Sequence, residues 1–254
     1  MHKSTLKPLT NSIVLRSSGL TLSAFALVCL AVPNASASDQ ETFTTIDVPG
    51  ASDTLGQGIN DRGDMVGQYL SNGVSHGFLL SGGSFTTIDF PGATSGFARG
   101  INRHGDIVGV HVIDGVTHGY LLSGGEYSSI DVPGASFTGP RDINRRGDIV
   151  GRYDSGGMTH GFLLSNGNFS TIDFPGATFT FCGGINRSGD IVGRYTSQGV
   201  NHGFLLDDDG NFSTIDVPGA SFTSAISINR RGNVGGFYIL AGVNHGFLLS
   251  AGED

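Results

Sequence analysis

The stretch HGFLLSGGSFTTIDFPGA, residues 76–93, places a Gly-Gly pair between two short apolar segments. Its two halves, HGFLL and FTTID, recur along the chain in five copies each with small changes. Gly82-Gly83 predicts a two-residue hairpin tip, because a type I′ turn needs positive φ at both central positions. In that register residues whose numbers sum to 165 face each other, so His76 lies opposite Asp89.

The same register applies to the later copies and leaves one residue over at each end of the chain. It predicts the further pairs His118–Asp131, His160–Asp173 and His202–Asp216, with a three-residue tip at Asp208-Asp209-Gly210 absorbing an inserted residue in the last of these. His245 has no aspartate downstream, and Asp47 has no histidine upstream. We therefore expect these two to pair, with the strand Phe43–Val48 lying antiparallel to His245–Leu249.

The repeat period predicts the fold. The FTTIDVPGA phrase begins at residues 43, 85, 127, 169 and 212, in steps of 42, 42, 42 and 43. The second copy shows four strand signals, at 85–90, 96–102, 105–112 and 117–123, separated by Gly, Pro, Asn and Asp. A four-stranded repeat of about 40–45 residues is typical of a propeller blade. We predict an all-β, five-bladed β-propeller with four antiparallel strands per blade, closed by the N-terminal strand.

Two motifs give a family resemblance. Segments such as GDIVGRY are followed by a His-Gly-Phe triplet at 76–78, 160–162, 202–204 and 245–247, and by His-Gly-Tyr at 118–120. This pattern resembles the extracellular HAF repeat family of bacterial secreted proteins, which is named for a His-Ala-Phe triplet. The resemblance covers all five copies. It implies secretion and repetition, and it brings no catalytic residue.

The N-terminus predicts export. Lys3, Lys7 and Arg16 precede an apolar run over 20–32, and Ala35-Ser36-Ala37 supplies small residues for cleavage. The apolar run is shorter than the ~20 residues of a membrane helix; a retained anchor is the alternative. We predict a signal peptide over 1–37, a five-repeat domain over 38–254, and a secreted or periplasmic location.

Charge and cysteine content exclude several partners. After residue 37 eleven arginines and no lysine face 22 carboxylates, a net charge of −11. Binding to nucleic acid is therefore not expected, because a basic surface dominates that affinity. Removal of the signal leaves no membrane span, and we expect a monomer.

Cys182 is the one thiol that remains after residue 37, so no internal disulfide is predicted. We expect its side chain to pack as a small buried apolar group.

The His–Asp pairs are interpreted as structural. A pair repeated in every blade satisfies polar groups between packed blades, whereas active sites are seldom equal in all repeats. No metal-ligand cluster, nucleophile elbow or nucleotide motif is present, so neither a metal nor a cofactor is expected. The only glutamates after residue 37 are Glu41, Glu126 and Glu253. We predict a non-catalytic protein.

In each repeat a predicted strand ends in Gly-Ile-Asn or a close variant, at 58–60, 100–102, 142–144, 184–186 and 227–229, and we call it the GIN strand. The turns after the GIN strands carry the candidate binding residues. We expect them to form one ring around the axis, where guanidinium groups suit carboxylate or phosphate. The alternative is local pairing of each arginine with Asp64, Asp106, Asp148 or Asp190. The ring consists of Arg62, Arg103, His104, Arg145, Arg146, Arg187, Arg230 and Arg231.

The leading functional hypothesis is a secreted binding module for an extracellular glycan, polymer or protein, acting through repeated weak sites. A glycan-active hydrolase on the same scaffold is one alternative. A structural protein of the envelope or matrix is the other.

Overall fold

The computed structural model describes residues 43–250, and every regular element in that range is a β-strand. The predicted signal peptide, residues 1–37, lies outside this range. No helix in the described residues is long and apolar enough to cross a membrane. The strands are β1 (Asp53–Ile59), β2 (Met65–Ser71), β3 (Val74–Ser81), β4 (Ser84–Ile88), β5 (Ser95–Ile101), β6 (Ile107–Ile113), β7 (Val116–Ser123), β8 (Glu126–Ile130), β9 (Phe137–Ile143), β10 (Ile149–Ser155), β11 (Met158–Ser165), β12 (Asn168–Ile172), β13 (Phe179–Ile185), β14 (Ile191–Ser197), β15 (Val200–Leu206), β16 (Phe212–Ile215), β17 (Phe222–Ile228), β18 (Val234–Leu240) and β19 (Val243–Leu249).

Residues 76–93 contain the hairpin that the Gly-Gly pair predicts. β3 and β4 pair antiparallel, with Ser81 opposite Ser84 at the closing position. Gly82 and Gly83 have φ of 58° and 79°. Both values lie in the left-handed region that a type I′ turn requires. The predicted register of this hairpin is confirmed.

The strands combine into sheets within each repeat. β1–β4 and β5–β8 form separate four-stranded antiparallel sheets in chain order. β9–β12, β13–β16 and β17–β19 follow the same order, and the single parallel bridges Thr159–Phe179 and Asn201–Phe222 join them into one 11-stranded sheet. We number these five groups of strands repeats 1 to 5. The all-β architecture is confirmed.

The apolar core lies between successive repeats. Phe78, Phe162 and Phe204 are fully buried at the same place in the HGFLL strand. Tyr120, at that place in repeat 2, packs in one cluster with Val66 of repeat 1 and with Ala98, Ile101 and Ile107 of its own repeat. Each repeat therefore completes its hydrophobic face against its neighbour, as repeat architectures do.

The first strand of each repeat is innermost, and its glycines permit close approach. Residues of β1, β5, β9, β13 and β17 line shared cavities. A Cβ on Gly58 would lie 2.6 Å from the Arg99 carbonyl oxygen, and one on Gly184 would lie 2.9 Å from the Ile226 carbonyl oxygen. These distances are too short for a side chain, so glycine is required at these two positions, whereas repeats 3 and 5 carry Asp142 and Ser227 at the same place.

The asparagine that ends each inner strand forms the turn and also links repeats. The Asn144 Oδ1 accepts hydrogen bonds from the Arg146 and Asp148 backbone N–H groups at 2.8 and 3.0 Å. Its Nδ2 donates to Asp148 Oδ2 at 2.9 Å and to the Asn186 carbonyl oxygen of the next repeat at 3.2 Å. Equivalent links between repeats join Asn60 to Asn102 at 3.1 Å and Asn102 to Asn144 at 3.2 Å.

The two ends of the repeat array remain open. Ile59 of repeat 1 is 65% exposed, whereas Ile143 at the same place in repeat 3 is 4% exposed. Leu248 in β19 is 68% exposed. Residues 43–48 form no strand, and β19 pairs only with β18 among the described residues. The predicted closing strand, residues 43–48, therefore forms no backbone hydrogen-bond ladder with β19 in the described structure.

Tyr120 gives a direct test of core packing. Its hydroxyl is buried and has no hydrogen-bond partner among the described residues, and burial raises the pKa of this tyrosine. Because an unsatisfied buried hydroxyl is costly, Tyr120→Phe is expected to raise the free energy of unfolding by about 1–2 kcal/mol. Urea unfolding measures the change. The matched reverse substitution, Phe162→Tyr, is expected to lower it, and a destabilising Tyr120→Phe would contradict this account of the core.

Candidate functional site

The five Asn turns meet at one end of the axis. A cavity of about 230 Å³ opens there, lined by turn residues from every repeat. The residue after each asparagine lines this opening, and we call these five residues, Asp61, Arg103, Arg145, Arg187 and Arg230, the axial mouth. None of its four arginines forms a salt bridge within the described part of the chain.

The other predicted turn residues lie beside the mouth and do not line its cavity. Arg62 and Arg146 pair with Asp64 and Asp148 through Nε, at 3.0 and 2.9 Å. Arg146 also donates from Nη2 to the Ser188 carbonyl oxygen at 3.0 Å. His104 and Arg231 occupy the matching turn position, where their backbone N–H groups donate to Asn102 and Asn229 Oδ1. The structure thus divides the predicted ring into two sets. Four arginines line the mouth, and the other four residues, Arg62, His104, Arg146 and Arg231, lie beside it, with Arg62 and Arg146 paired locally.

A second group of arginines, which the sequence analysis missed, lies deeper along the axis. Arg99 and Arg141 extend from inner strands β5 and β9, and Arg152 and Arg194 extend from the neighbouring strands β10 and β14. All four line one cavity of about 240 Å³. We call them the inner arginine cluster. The isoleucine that precedes each turn asparagine separates the cluster from the mouth along the inner strands.

Aromatic rings support the inner guanidinium groups. The Arg152 guanidinium carbon lies 4.8 Å from the centre of the Phe137 ring, and that of Arg194 lies 4.9 Å from the Phe179 ring. Arg99 stacks in the same way over Phe97, at 4.7 Å. A guanidinium held by its face on a ring keeps its N–H edge available for a bidentate acceptor.

The inner cluster is strongly electropositive. Burial lowers the pKa of Arg99 to about 10, and the charges of Arg141 and Arg152 act in the same direction. Burial likewise lowers the pKa of Arg194, with a further contribution from Arg152. No Asp or Glu lines this cavity. The Nε atoms of Arg99 and Arg194 are buried without a hydrogen-bond partner among the described residues.

One carboxylate lies close to the inner cluster, and it has a structural role. Asp142, next to Arg141 on β9, accepts hydrogen bonds from the Ile143 and Ile185 backbone N–H groups at 2.9 and 3.0 Å. Burial raises the pKa of Asp142, while these hydrogen bonds and the charge of Arg141 oppose that shift. Arg141 itself donates from Nη1 to Gln57 Oε1 at 3.3 Å. Asp142 therefore links repeats 3 and 4 through their backbones.

The inner cluster departs from the repeat pattern, and that departure was the signal available in the sequence. Three residues before the turn asparagine, the five repeats carry Gln57, Arg99, Arg141, Gly183 and Ile226. The position opposite the HGF glycine carries Gln68, Val110, Arg152, Arg194 and Phe237. Positions such as the turn asparagine and the HGF histidine keep the same residue in all five copies. The two positions that carry the inner arginines vary between copies, and arginine at them makes one side of the axis basic.

No family model matches the sequence, and no curated protein matches it. Many solved structures are similar in shape, and three of them serve as examples. TolB from Acinetobacter baumannii has a TM-score of 0.54 and 16% identity, covering 79% of this chain and 55% of that one. An inactive virginiamycin B lyase from Staphylococcus aureus with quinupristin has a TM-score of 0.50 and 13% identity, covering 80% and 72%. A streptogramin B lyase has a TM-score of 0.49 and 16% identity, covering 78% and 69%.

The chain has a β-propeller-like fold. At these identities the similarity shows the fold alone, since unrelated functions share such scaffolds. In a propeller the inner strands surround a central axis. β1, β5, β9, β13 and β17 take that place here, and both arginine groups lie on this axis.

Four of the five His–Asp pairs lie where the hairpin register places them. The Nδ1–carboxylate distances are 2.8 Å for His76–Asp89, 3.0 Å for His118–Asp131, 2.9 Å for His160–Asp173 and 2.9 Å for His202–Asp216. In each pair the histidine lies in the third strand of a repeat, and the aspartate directly follows the fourth strand of the same repeat. The aspartate side chains are 42–47% exposed, so the pairs are more open to solvent than an interface between packed blades implies.

The fifth His–Asp pair is not formed. No hydrogen bond joins His245 to Asp47 in the described structure, and the His245 ring stacks on Tyr238 with centroids 5.1 Å apart. The same stacking occurs at Tyr69–His76, Tyr153–His160 and Tyr195–His202. The histidine is therefore held by its own β-hairpin even where the aspartate is missing.

Among the described residues, no group of three or more His, Cys, Asp or Glu side chains is placed to hold a metal ion. Cys182 is fully buried, and burial raises the pKa of its thiol. A buried thiol of this kind packs as a small apolar group.

Proposed function

We propose that the protein is a secreted, non-catalytic β-propeller that binds an acidic extracellular polymer or glycan through the axial mouth. The observation that carries the proposal is the distribution of positive charge. All eleven arginines after residue 37 lie on the axis or on the turns around it: eight line the axial cavities, and Arg62, Arg146 and Arg231 occupy the same turns.

This distribution focuses charge in an otherwise acidic protein. With a net charge of −11 after residue 37, the outer surface repels polyanions in general. A basic opening enclosed by low-dielectric walls attracts one segment of an acidic chain and concentrates it there. Four unpaired guanidinium groups around one opening also supply several modest contacts that act together.

The resemblance to secreted HAF repeat proteins and the signal-like N-terminus support an extracytoplasmic role. Polymers rich in uronate, sulfate or phosphate are available in that compartment. A hydrolase on the same scaffold is the competing function, and an activity screen of the purified protein on acidic polysaccharides separates the two. Chain cleavage without retention of the intact polymer would favour the hydrolase.

The mouth arginines are expected to determine polymer binding. Replacement of Arg103, Arg145, Arg187 and Arg230 together by Ser removes four charge-assisted contacts. It should weaken binding to an acidic polysaccharide at least about tenfold, because each such contact contributes about 1.5–3 kcal/mol in favourable geometry. Affinity measured by biolayer interferometry at 50 and 300 mM salt should fall with salt in the wild type and be nearly flat in the variant.

A matched variant replaces Arg62, Arg146 and Arg231 by Ser. It removes similar charge from the same turns but leaves the axial opening intact, so binding should change much less. Equal losses in the two variants would show that net charge, and not the mouth, governs binding. Unchanged binding in both would refute the proposed surface.

We also propose that the native ring is a five-bladed propeller closed by residues 45–48. Residues 48–54 already fold like the connections between successive repeats. The Val48 N–H donates to Thr54 Oγ1 at 3.1 Å, as the Val132 N–H does to Thr138 Oγ1. At the other connections the residues before this point form the outer strand of the preceding sheet. β19 presents the free edge that such a strand would occupy.

Deletion of residues 38–48 tests closure. If the segment pairs with β19, its loss removes several backbone hydrogen bonds and the His245–Asp47 pair, lowering the free energy of unfolding by about 2–4 kcal/mol. Deletion of residues 38–42 is the control and should have little effect. Urea unfolding gives the difference, and light scattering should report a monomer for the full chain. Equal stability of the two deletions, or self-association of the full chain, would contradict closure.

A further inference from the structure

We propose that the inner arginine cluster is a second binding site, for a compact anion that carries two or more carboxylate or phosphate groups. The site is distinct from the axial mouth. The proposal rests on the proposed function only in treating the protein as a binding module, and its residues do not overlap with those assigned to polymer binding.

The cluster lacks the partners that a structural arginine normally has. None of its four members forms a salt bridge with a described carboxylate. Arg141 alone has polar partners, the hydrogen bond to Gln57 and the nearby charge of Asp142. Buried charges are normally paired, because an unpaired one loses its hydration without compensation. The buried Nε atoms of Arg99 and Arg194 are donors that find no acceptor within residues 43–250.

The four arginine side chains line one cavity. Phe97, Phe137 and Phe179 each lie within 4.9 Å of the guanidinium carbon of one arginine and cover one face of that group. The cavity wall is completed by small residues, Gly139 and Ser224, where repeats 2 and 4 carry Phe97 and Phe181. At Gly139 the Phe137 ring takes this space, since a Cβ there would lie 2.7 Å from Phe137 Cζ. The glycine thereby makes room for the ring that lies under the Arg152 guanidinium.

The size and charge of the cavity define the ligand class. At about 240 Å³ it is smaller than the ~300–1,000 Å³ of sites for drug-sized molecules. Four guanidinium groups line the cavity and no carboxylate does, so a ligand that balances their charge carries more than one negative charge. Planar forks select carboxylate or phosphate oxygens over monovalent halide. Small polycarboxylates and phosphate esters meet these three conditions, whereas the interior of a long polymer does not.

The asymmetry argues against a purely structural role. The turn asparagine and the HGF histidine recur in every copy, but the arginines do not. The first cluster position is arginine only in repeats 2 and 3, as Arg99 and Arg141, and the second only in repeats 3 and 4, as Arg152 and Arg194. The other repeats reach the same backbone geometry with Gln, Gly, Ile, Val or Phe. The fold therefore does not need these arginines, and they lower its stability through burial and mutual repulsion.

Thermal unfolding of the full secreted chain with defined anions tests the proposal. Citrate and pyrophosphate are the two probes and distinguish carboxylate from phosphate; glycerol and sodium chloride at equal ionic strength are controls. A ligand present at one hundred times its Kd should raise the Tm by about 5–10 °C. Isothermal titration calorimetry should give one site per chain.

Variants then locate the site. Arg99→Met and Arg152→Met should raise the Tm of the ligand-free protein, because each removes a half-buried charge from a group of like charges. Both should weaken binding of the effective anion at least about tenfold. Arg99→Lys keeps the charge but loses the planar fork, and it should bind at intermediate strength. The Arg103/Arg145/Arg187/Arg230→Ser variant should bind the compact anion like the wild type.

Three results would overturn the proposal: no Tm shift beyond that of sodium chloride, an anion response that persists in both Met variants, or loss of the response in the mouth variant alone. If Arg99→Met fails to fold, Arg152→Met and Arg99→Lys still decide the matter. Binding of the acidic polysaccharide by the two Met variants is measured in a separate experiment, because it tests the proposed function and not this site. A protein that retains polymer but ignores both small anions refutes this site and leaves the proposed function intact.

Discussion

The amide of the turn asparagine is the contact on which the axial region depends. Its oxygen caps the local turn, and in repeats 1 to 3 its nitrogen also reaches the backbone of the next repeat, 42 residues along the chain. One side chain thus fixes both the shape of a turn and its distance from the neighbouring turn. The residues that follow each asparagine are consequently brought around a common opening. These links hold the turns of repeats 1 to 4 at one spacing, and the turn of repeat 5 lines the same opening.

Close packing of the inner strands produces the second basic site. Glycines next to the axis allow backbones to approach within contact distance, so that side chains one position away must point together along the axis. Apolar residues fill that space in some repeats. Where Arg99, Arg152 and Arg194 occupy it, aromatic rings lie against their guanidinium groups, but no carboxylate lines the cavity that they share. A scaffold that tolerates such a group must gain the lost stability elsewhere, and the fully buried HGFLL aromatics between the repeats contribute to it.

The hairpins, the strand order and the position of the Asn turns were predictable from the sequence because they depend on local rules. A Gly-Gly or Asn-Gly tip fixes register, and a constant period fixes which residues share a place in the fold. The inner arginines were not predicted, since their meaning depends on contacts between repeats that no single copy displays. Arg99 reads as an ordinary polar residue of a short strand until its neighbours Arg141 and Arg152 are placed beside it. Closure stays a prediction for a related reason: the unmatched His245 and Asp47 indicate a pairing, yet backbone pairing across the two chain ends is not determined by either residue alone.

The central claim is that positive charge in this acidic protein is concentrated on one axis and is available there to anions. Anomalous diffraction from a crystal of residues 38–254 soaked in selenate tests it most directly. The account predicts selenium peaks on the axis, within hydrogen-bond distance of guanidinium groups of the axial mouth or the inner arginine cluster. Peaks confined to the outer surface, or arginines that do not converge on an axis, would contradict it.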